Sequence, residues 1–393
     1  MERELFGFEI THGDPSGARC GLLRTPHGVV ETPNFIFCAT KGTIKGLTMD
    51  QMRAAGAQMI LSNTYHLHLQ PGEEVVESIG GLHRMMDWKG PILTDSGGFQ
   101  IFSLGHGATA CEIKGKRGLM GNQSLIKIEE SGALFRSHLD GSHRLLTPEK
   151  SIQIQRTLGA DIILTLDECT PDHADRRYVE LSTQRSHRWE QRSLDEFLKN
   201  DDGSQALYGI IQGSTYENLR RESCDFVSNR AFFGQAVGGS LGVNAEQMRQ
   251  IIALVGQMKN SIRPTHLLGI GTVEAILHGV QCAMDTFDCV HPTRLARHGG
   301  ALVFRDRGDG KFCLNLKNAR FQRDRDPIDE NCSCYACSRA SRGYIHHLLK
   351  AKEQLGGQLL TIHNVAFMCR LMGKIRCAIR GKSFRALLSE LLA

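Results

Sequence analysis

The sequence has no apolar run long enough to cross a bilayer, and its first residues lack the basic and apolar regions of a secretory signal. It also has no low-complexity segment and no repeat at the level of primary sequence. We therefore expect a cytoplasmic globular protein. In that compartment the 13 cysteines are expected to serve as thiols and metal ligands, not as a disulfide framework. A chain of 393 residues is long enough for one large domain with an appendage.

Charge is distributed unevenly along the chain. The net charge is +5, but residues 294–385 carry 19 Lys+Arg against 7 Asp+Glu, a balance of +12 that leaves −7 for the remainder. An acidic body with a basic C-terminal quarter indicates that a polyanion docks on one side. A solvated basic surface would explain the same excess of charge equally well.

Short strand-like runs alternate with helix-like segments along most of the chain, after a β-rich opening at about residues 7–38. The predicted strands are 40–44, 58–61, 91–93, 161–166, 206–211, 234–237, 265–268 and 285–290. Helix starts are predicted at Thr48, which opens a capping box with Gln51, at Thr147 before Pro148, and at Asn244. Eight β/α units indicate an α/β fold of the (β/α)₈ TIM-barrel type, with a doubly wound open sheet as the alternative.

Polar residues and glycines at the predicted strand ends favour the barrel. In a barrel they converge on the C-terminal face, where barrel active sites lie. They are Asn63, Asp95, Asp167, Gln212, Gly238, Gly239, Gly269, Gly271 and Asp288. Residues 104–146 are too long for a plain helical connection, and the runs 111–114, 125–129 and 133–139 predict an inserted β-meander. We expect residues 1–310 to form the barrel with this insertion and residues 311–393 to form a metal-binding subdomain with C-terminal helices.

A cysteine cluster predicts the metal site. Cys332, Cys334 and Cys337 follow a C-x-C-x₂-C pattern, and three thiolates on one turn suit tetrahedral Zn²⁺. The fourth ligand is left open by the spacing. The candidates are His346, His347, His363 and Cys369. With four protein ligands the site would be closed, and therefore structural and not catalytic.

Acidic residues at three strand ends predict chemistry at the barrel mouth. Asp95 precedes a glycine turn, Asp167 and Glu168 end the fourth predicted strand, and Asp288 precedes Arg294 and Arg297. One such acid alone is more often a helix cap or a loop residue than a catalytic group. Two carboxylates at one mouth suit displacement at an anomeric carbon, with one as nucleophile and the other as acid/base. Asp167 and Gln212 could both contact the hydrogen-bonding edge of a heterocycle.

These residues resemble those of the tRNA-guanine transglycosylases (queuine tRNA-ribosyltransferases). The matching segments lie in order, with the cysteine cluster last, and cover about residues 60–370. They are 63–67 (Asn-Thr-Tyr-His-Leu), 93–100 (Leu-Thr-Asp-Ser-Gly-Gly-Phe-Gln), 137–141 (Ser-His-Leu-Asp-Gly), 167–169 (Asp-Glu-Cys), 212–213 (Gln-Gly), 268–271 (Leu-Gly-Ile-Gly), 287–290 (Phe-Asp-Cys-Val) and 292–294 (Pro-Thr-Arg). The resemblance implies a (β/α)₈ barrel of the bacterial type with one structural Zn²⁺, His363 as its fourth ligand, and a homodimer.

The resemblance also implies a role for each site residue. Asp288 corresponds to the nucleophile that attacks C1′ of guanosine and forms a covalent RNA intermediate, and Asp95 to the acid/base. The residues that would bind or enclose the base are Ser96, Gly97, Gly98, Phe99, Asp167, Gln212, Gly239 and Leu268. Those that would contact tRNA around the wobble nucleotide are Gly269, Thr272, Glu274, Thr293, Arg294 and Arg297. The implied substrates are the GUN-anticodon tRNAs for Asp, Asn, His and Tyr, together with a 7-deazaguanine base, either the prequeuosine base (preQ1) or queuine.

One departure from the family pattern bears on the incoming base. Gly242 stands where bacterial enzymes that insert preQ1 typically carry Val and where eukaryotic queuine users carry Gly, whereas Cys169 is typical of bacterial members. Loss of a valine side chain would enlarge the pocket, so we expect queuine to be accepted.

Three other functions agree less well with the sequence. An archaeal-type enzyme acting in the D-arm would need a C-terminal RNA-binding extension. A catalytically silent tRNA-binding partner subunit would not need both Asp95 and Asp288. A metal-dependent barrel hydrolase would carry its metal ligands at the ends of the barrel strands, whereas the cysteine cluster lies after the last predicted strand.

Overall fold

The structure is a computed structural model that describes residues 5–105, 125–171, 173–304 and 312–392. Its centre is a closed barrel of eight parallel strands, which confirms the predicted fold and excludes the doubly wound sheet. An antiparallel sheet precedes it, formed by β1 (Gly7–Gly13), β2 (Arg19–Thr25) and β3 (Gly28–Thr32). The barrel strands are β4 (Asn34–Cys38), β5 (Ile60–Ser62), β6 (Ile92–Thr94), β10 (Ile162–Leu164), β11 (Ala206–Ile211), β12 (Gly234–Val237), β13 (Thr265–Leu267) and β14 (Thr286–Asp288).

The predicted first strand at 40–44 is wrong. The first barrel strand is β4, inside the stretch assigned to the β-rich opening, and it pairs with β14 and β5. Residues 40–44 form a turn, with the Gly42 N–H bonded to Ala39 O at 2.9 Å and a Gly42 φ of +68°. The almost uninterrupted apolar run of β4 is typical of a parallel strand that is buried on both faces.

Alternate residues of each barrel strand face opposite ways. Ile36, Leu93 and Ile210 belong to an inner cluster, whereas Phe37 and Ile163 pack outward against the helices. The inner cluster also contains Leu23 and Val30 of the N-terminal sheet, which therefore covers one end of the barrel. This period-two alternation means that polar side chains can enter the barrel interior only at positions in register with the inner cluster.

Helices surround the barrel. In chain order they are α1 (Met49–Ala54), α2 (Thr64–Leu69), α3 (Glu73–Ile79), α4 (Gly81–Met86), α5 (Gly98–Gly105), α6 (Pro148–Leu158), α7 (Arg176–Lys199), α8 (Glu217–Ser228), α9 (Ala245–Met258), α10 (Val273–Gln281) and α11 (His291–Arg297). The predicted starts are confirmed, because Thr48 forms a capping box with Gln51 and because Thr147 and Asn244 cap α6 and α9.

The long connection before α6 contains an antiparallel sheet of β7 (Leu125–Glu129), β8 (Gly132–Arg136) and β9 (His143–Leu146), in agreement with the predicted meander. The predicted strand at 111–114 lies outside the described residues. The chain after the barrel forms a hairpin of β15 (Gly300–Leu302) and β16 (Cys313–Asn315), then a 3₁₀ turn (Ala319–Phe321).

The described residues after this turn form four helices: α12 (Tyr335–Arg339), α13 (Arg342–Lys350), α14 (Gln354–Arg380) and α15 (Phe384–Leu392). The longest of them, α14, packs on α11 and on strand β4, so it joins the cysteine-rich segment to the barrel wall. The domain boundary at residue 310 stays a prediction. In the described ranges no helix has the length and apolarity needed to cross a membrane.

Candidate active site and metal centre

The predicted polar residues lie together at the carboxyl ends of the barrel strands. Asp95 follows β6, Gln212 follows β11 and Asp288 is the last residue of β14. Asp167 lies three residues beyond β10. Because all eight strands are parallel, these ends form one mouth.

Asp95 is held by hydrogen-bond donors from three directions. Its Oδ1 accepts the Thr64 N–H at 2.8 Å, and its Oδ2 accepts the side-chain amides of Asn63 at 2.5 Å and Gln100 at 2.8 Å. Burial, helped by the charge of Asp288, raises the pKa of Asp95 from the ordinary 3.8 to about 7, although the bonds from Thr64 and Gln100 oppose this shift. The carboxyl group can therefore exchange a proton near neutral pH.

Asp167 and Gln212 form a hydrogen-bonded pair at the adjoining strand ends. The Gln212 side-chain amide donates to Asp167 Oδ2, and both residues are buried. Burial raises the pKa of Asp167 to about 7, against the bonds from Gln212 and Ser96. A Cβ on Gly98 would lie 2.8 Å from Asp167 O. Because residue 98 is glycine, the turn after Asp95 can pack directly on Asp167. Asp167 and Gln212 together present hydrogen-bond donors and acceptors that suit the edge of a purine-like base.

Gly239 lies beside this pair in a left-handed conformation. Its φ is +72°, and a Cβ there would be 2.3 Å from Gln212 Oε1, so a side chain at this position would displace the Gln212 amide. Arg220 of α8, which the sequence analysis missed, fixes this loop. Its fully buried guanidinium donates to the carbonyls of Ser214, Ile211, Gly238 and Ser240 at 2.7 to 2.9 Å.

Asp288 is bound from both neighbouring strands. Its Oδ1 accepts the Gly269 N–H at 2.8 Å and lies 3.3 Å from Nε2 of His266 in β13. The Cys38 thiol at the end of β4 contacts Oδ2 at 3.6 Å. Burial raises the pKa of the Cys38 thiol well above its usual value, and the charge of Asp288 adds to this shift. The side chain of Asp288 is 13% exposed, so it remains accessible from the mouth.

The side chains predicted to enclose the base differ in exposure. Phe99 on α5 is 43% exposed, whereas Leu268 is half-buried beside the inner cluster. Ser96 and Gly97 form the buried start of the turn, in which Ser96 Oγ accepts the Gly98 N–H at 3.4 Å. An exposed aromatic ring at the rim is suited to stacking on a base.

The predicted RNA-contact residues border the Asp288 side of the mouth. Gly269 and Glu274 are exposed, and Thr272 caps α10. On α11, Arg297 is exposed and donates to Thr293 O at 2.9 Å, while Arg294 is half-buried. Thr293 itself is buried and donates from Oγ1 to Val290 O at 3.3 Å. Their contacts with RNA stay predictions.

Gly242 has a φ of +106°, and a Cβ there would lie 2.5 Å from Gln247 Oε1. The space beside this glycine is therefore filled by Gln247 in the first turn of α9. A valine in this backbone conformation would be strained. Gly242 therefore affects the conformation of the loop as well as the free volume of the pocket.

The metal cluster lies apart from the mouth and combines Cys332, Cys334, Cys337 and His363. Their donor atoms all lie within 4.8 Å of one another, with His363 Nδ1 at 3.2 Å from the Cys337 sulfur. His363 Nε2 donates to Leu302 O at 2.7 Å, which leaves Nδ1 free to bind a metal. Three thiolates and an imidazole can hold one tetrahedral ion, in agreement with zinc.

The other candidate ligands are directed elsewhere. His346 Nδ1 contacts Leu316 O at 2.8 Å, His347 is exposed to solvent, and Cys369 lies near Gly56 at the barrel wall. His363 therefore completes the cluster, a choice that spacing alone did not determine.

The structure also adds His266 and Cys38 to the site. Their positions agree with the period-two pattern, since His266 precedes Leu268 by two residues and Cys38 follows Ile36 by two. That pattern could have identified both as residues facing the barrel interior.

Comparisons with known proteins agree with this geometry. The family described as "Queuine tRNA-ribosyltransferase" matches residues 14–393. A protein of that name from Roseiflexus sp. is 47% identical over 396 residues, covering 98% of each chain. Relatives of the same name from Symbiobacterium thermophilum and Synechococcus elongatus are each 45% identical, covering 96% of this chain and 88% and 92% of theirs. The chain belongs to the queuine tRNA-ribosyltransferase family, the tRNA-guanine transglycosylases, which are pentosyltransferase enzymes.

Proposed function

We propose that this enzyme exchanges guanine at the anticodon wobble position of tRNA for a 7-deazaguanine base through a covalent bond between the RNA and Asp288. The observation that carries the proposal is the pair of acids at one barrel mouth. Asp288 is accessible and oriented by backbone and side-chain contacts, while Asp95 has a pKa of about 7. One group is thus suited to attack and the other to proton transfer.

In the first half-reaction an Asp288 oxygen bonds to ribose C1′ as the bond from C1′ to guanine N9 breaks. The bonding pair leaves with guanine, and protonated Asp95 delivers a proton to the departing base. This leaves an ester between Asp288 and C1′, with Asp95 ionised. The raised pKa of Asp95 supports this role because a substantial fraction carries the proton at neutral pH.

The second half-reaction reverses these steps with another base. Asp95 takes the N9 proton of the incoming 7-deazaguanine, whose N9 then attacks C1′. The bond between Asp288 and C1′ breaks, and its electron pair returns to the carboxylate. Two displacements at the same carbon restore the original configuration, as expected for a double-displacement mechanism.

Asp167, Gln212 and the backbone at Gly239 would bind the edge of either base. The support is their position, since the Gln212 amide bonds Asp167 and lies against Gly239. Phe99 and Leu268 would contact the two faces of the base. The target nucleotide would have to leave its stack to enter this mouth, as occurs in other enzymes that react at a nucleobase.

The tRNA would bind on the Asp288 side, where Arg294 and Arg297 supply positive charge for phosphates. The proposed substrates are the tRNAs for Asp, Asn, His and Tyr, which share a GUN anticodon. The Cys332, Cys334, Cys337 and His363 cluster would hold one structural Zn²⁺, since it is closed by four protein ligands and lies apart from the mouth. A homodimer is proposed from the family resemblance, and light scattering of the purified protein tests it.

An exchange assay tests the proposed function. Labelled guanine is offered with transcripts of tRNA-Tyr and of a variant whose wobble guanosine is replaced by adenosine. We expect label to enter the first RNA only. Label in both transcripts would instead indicate exchange elsewhere, as in the D-arm, and absence of label from both would favour a silent partner subunit.

A competition assay identifies the incoming base. Equal concentrations of preQ1 and queuine are offered with unmodified tRNA, and the nucleosides are then quantified by mass spectrometry. Incorporation of queuine supports the expectation drawn from Gly242. Exclusive incorporation of preQ1 would reject it.

A further inference from the structure

Asp288 has a different environment at each of its two carboxylate oxygens. In the barrel its strand lies between β13 and β4. Oδ1 faces β13, where it accepts the Gly269 N–H at 2.8 Å and lies 3.3 Å from His266 Nε2. Oδ2 faces β4, where its contact is the Cys38 thiol at 3.6 Å. One oxygen therefore has a strong backbone donor and an imidazole, whereas the other has a weak and distant donor.

His266 is completely buried, and its ring is fixed from the far side. Nδ1 lies 3.0 Å from Thr286 Oγ1, and within the described part of the chain Nε2 has no aligned hydrogen-bond partner. If the Thr286 hydroxyl donates to Nδ1, the proton of the neutral ring is on Nε2 and points to Asp288. The other tautomer would set a lone pair against Oδ1. Contacts of this kind at catalytic groups are often poorly aligned without substrate and tighten when it binds.

We propose that His266 is a positioning residue that fixes Oδ1, and that Oδ2 is the oxygen that attacks C1′. This inference rests on the proposed role of Asp288 as nucleophile. Oδ2 forms the bond to C1′ as the bond from C1′ to N9 breaks. Oδ1 becomes the carbonyl oxygen of the ester and keeps its Gly269 N–H. When the ester is cleaved, the electron pair returns to Oδ2.

A hydrogen bond withdraws charge from its acceptor and must stretch when that acceptor moves toward carbon. Attack by Oδ1 would disturb the bond from Gly269 and the contact with His266. Among the contacts that the described residues make, attack by Oδ2 disturbs only that of the thiol, which costs less. The same asymmetry predicts opposite effects for donors on the two sides. A donor at Oδ1 assists orientation, and a stronger donor at Oδ2 hinders attack.

The test is the rate at which the covalent RNA adduct forms, measured by rapid quench with excess enzyme, tRNA and the trapping base 9-deazaguanine. His266→Phe removes the donor, and we expect a rate about 10- to 100-fold below wild type, the range for a lost hydrogen bond to a charged group. KM for tRNA should stay within about twofold because the fully buried ring offers no exposed surface to RNA. His266→Gln retains an N–H and should recover part of the rate.

A matched control separates positioning from general damage. His187 on α7 is also buried, also has an unpartnered Nε2 among the described atoms, and stacks on Phe226 away from the mouth. His187→Phe should lower the melting temperature without changing the rate of adduct formation. At Oδ2, Cys38→Ser should form adduct more slowly than Cys38→Ala, because a serine hydroxyl can donate to Oδ2 whereas alanine has no donor.

The outcomes are distinguishable. If folded His266→Phe and His266→Gln both form adduct at the wild-type rate, or if Cys38→Ser is at least as fast as Cys38→Ala, this inference is overturned. Adduct formation by Asp288→Asn would reject the nucleophile itself. Loss of adduct in Asp288→Asn, together with slowing in both His266 variants and in Cys38→Ser, supports both proposals.

Discussion

Asp95 is expected to destabilise the folded protein as the pH rises, because burial disfavours its charged form. Its pKa is about 7 in the folded state and 3.8 in the unfolded chain. The direction of this change in stability follows from how many protons each state binds. Below pH 3.8 Asp95 is protonated in both the folded and the unfolded state, so no stability is lost. Above pH 3.8 Asp95 ionises first in the unfolded state, which is therefore favoured. The penalty grows to about 2 kcal/mol at pH 5 and about 4 kcal/mol at pH 8, at about 1.4 kcal/mol per pKa unit.

Asp95→Asn removes this titration while keeping the shape of the side chain. The variant loses part of the bonding to Asn63, Thr64 and Gln100, but that loss does not vary with pH. We therefore expect the stability of Asp95→Asn relative to wild type to rise by about 2 to 3 kcal/mol between pH 5 and pH 8.

Urea unfolding of the metal-loaded protein at several pH values measures this difference. The raised pKa of Asp167 is common to both proteins, so to a first approximation it cancels. A relative stability that stays flat across this range would refute the account of Asp95 as a buried acid that is protonated near neutrality. The same variant should lose base exchange at every pH, because an amide can neither deliver nor take the proton.

Three further predictions concern the metal cluster, the base loop and the RNA flank. His363→Ala should lower the bound zinc measured by atomic emission and lower the melting temperature; retention of a full equivalent would contradict the assigned ligand set. Arg220→Met leaves the carbonyls of the Gly238 loop without their donor, so KM for the incoming base should rise about tenfold or more, since each net hydrogen bond contributes about 1 kcal/mol. The control is Arg263→Met, which removes a guanidinium that donates to Val227 O and Arg230 O away from the mouth and should leave that KM unchanged. Arg297→Glu should weaken tRNA binding more at low than at high salt and reduce the slope of log K against log salt by about 1 or more; an unchanged slope would place Arg297 off the RNA path.

The sequence predicted the parts of the site that follow from strand chemistry. Buried parallel strands are apolar along their length, so acids such as Asp95 and Asp288 at their ends stand out. The C-x-C-x₂-C cluster was evident from its spacing. The first strand was misplaced because β4 directly follows the antiparallel sheet, and no helix or loop separates them in the sequence.

Other features depend on contacts that no local pattern contains. Arg220 bonds to carbonyls 6 to 20 residues away on three segments. The period-two pattern places His266 toward the barrel interior, but its contact with Asp288 depends on the pairing of β13 with β14. For Gly242 the free volume expected from the residue type is filled by Gln247, a contact between a loop and the helix that follows it. In each case tertiary packing, not the residue type, determines the role.

Direct mapping of the covalent bond tests the central claim. Enzyme and tRNA are trapped with 9-deazaguanine, denatured, digested with nuclease and protease, and analysed by mass spectrometry. We expect a ribose adduct on the peptide containing Asp288, and no adduct in Asp288→Asn. An adduct on another residue, or an undiminished adduct in Asp288→Asn, would contradict it.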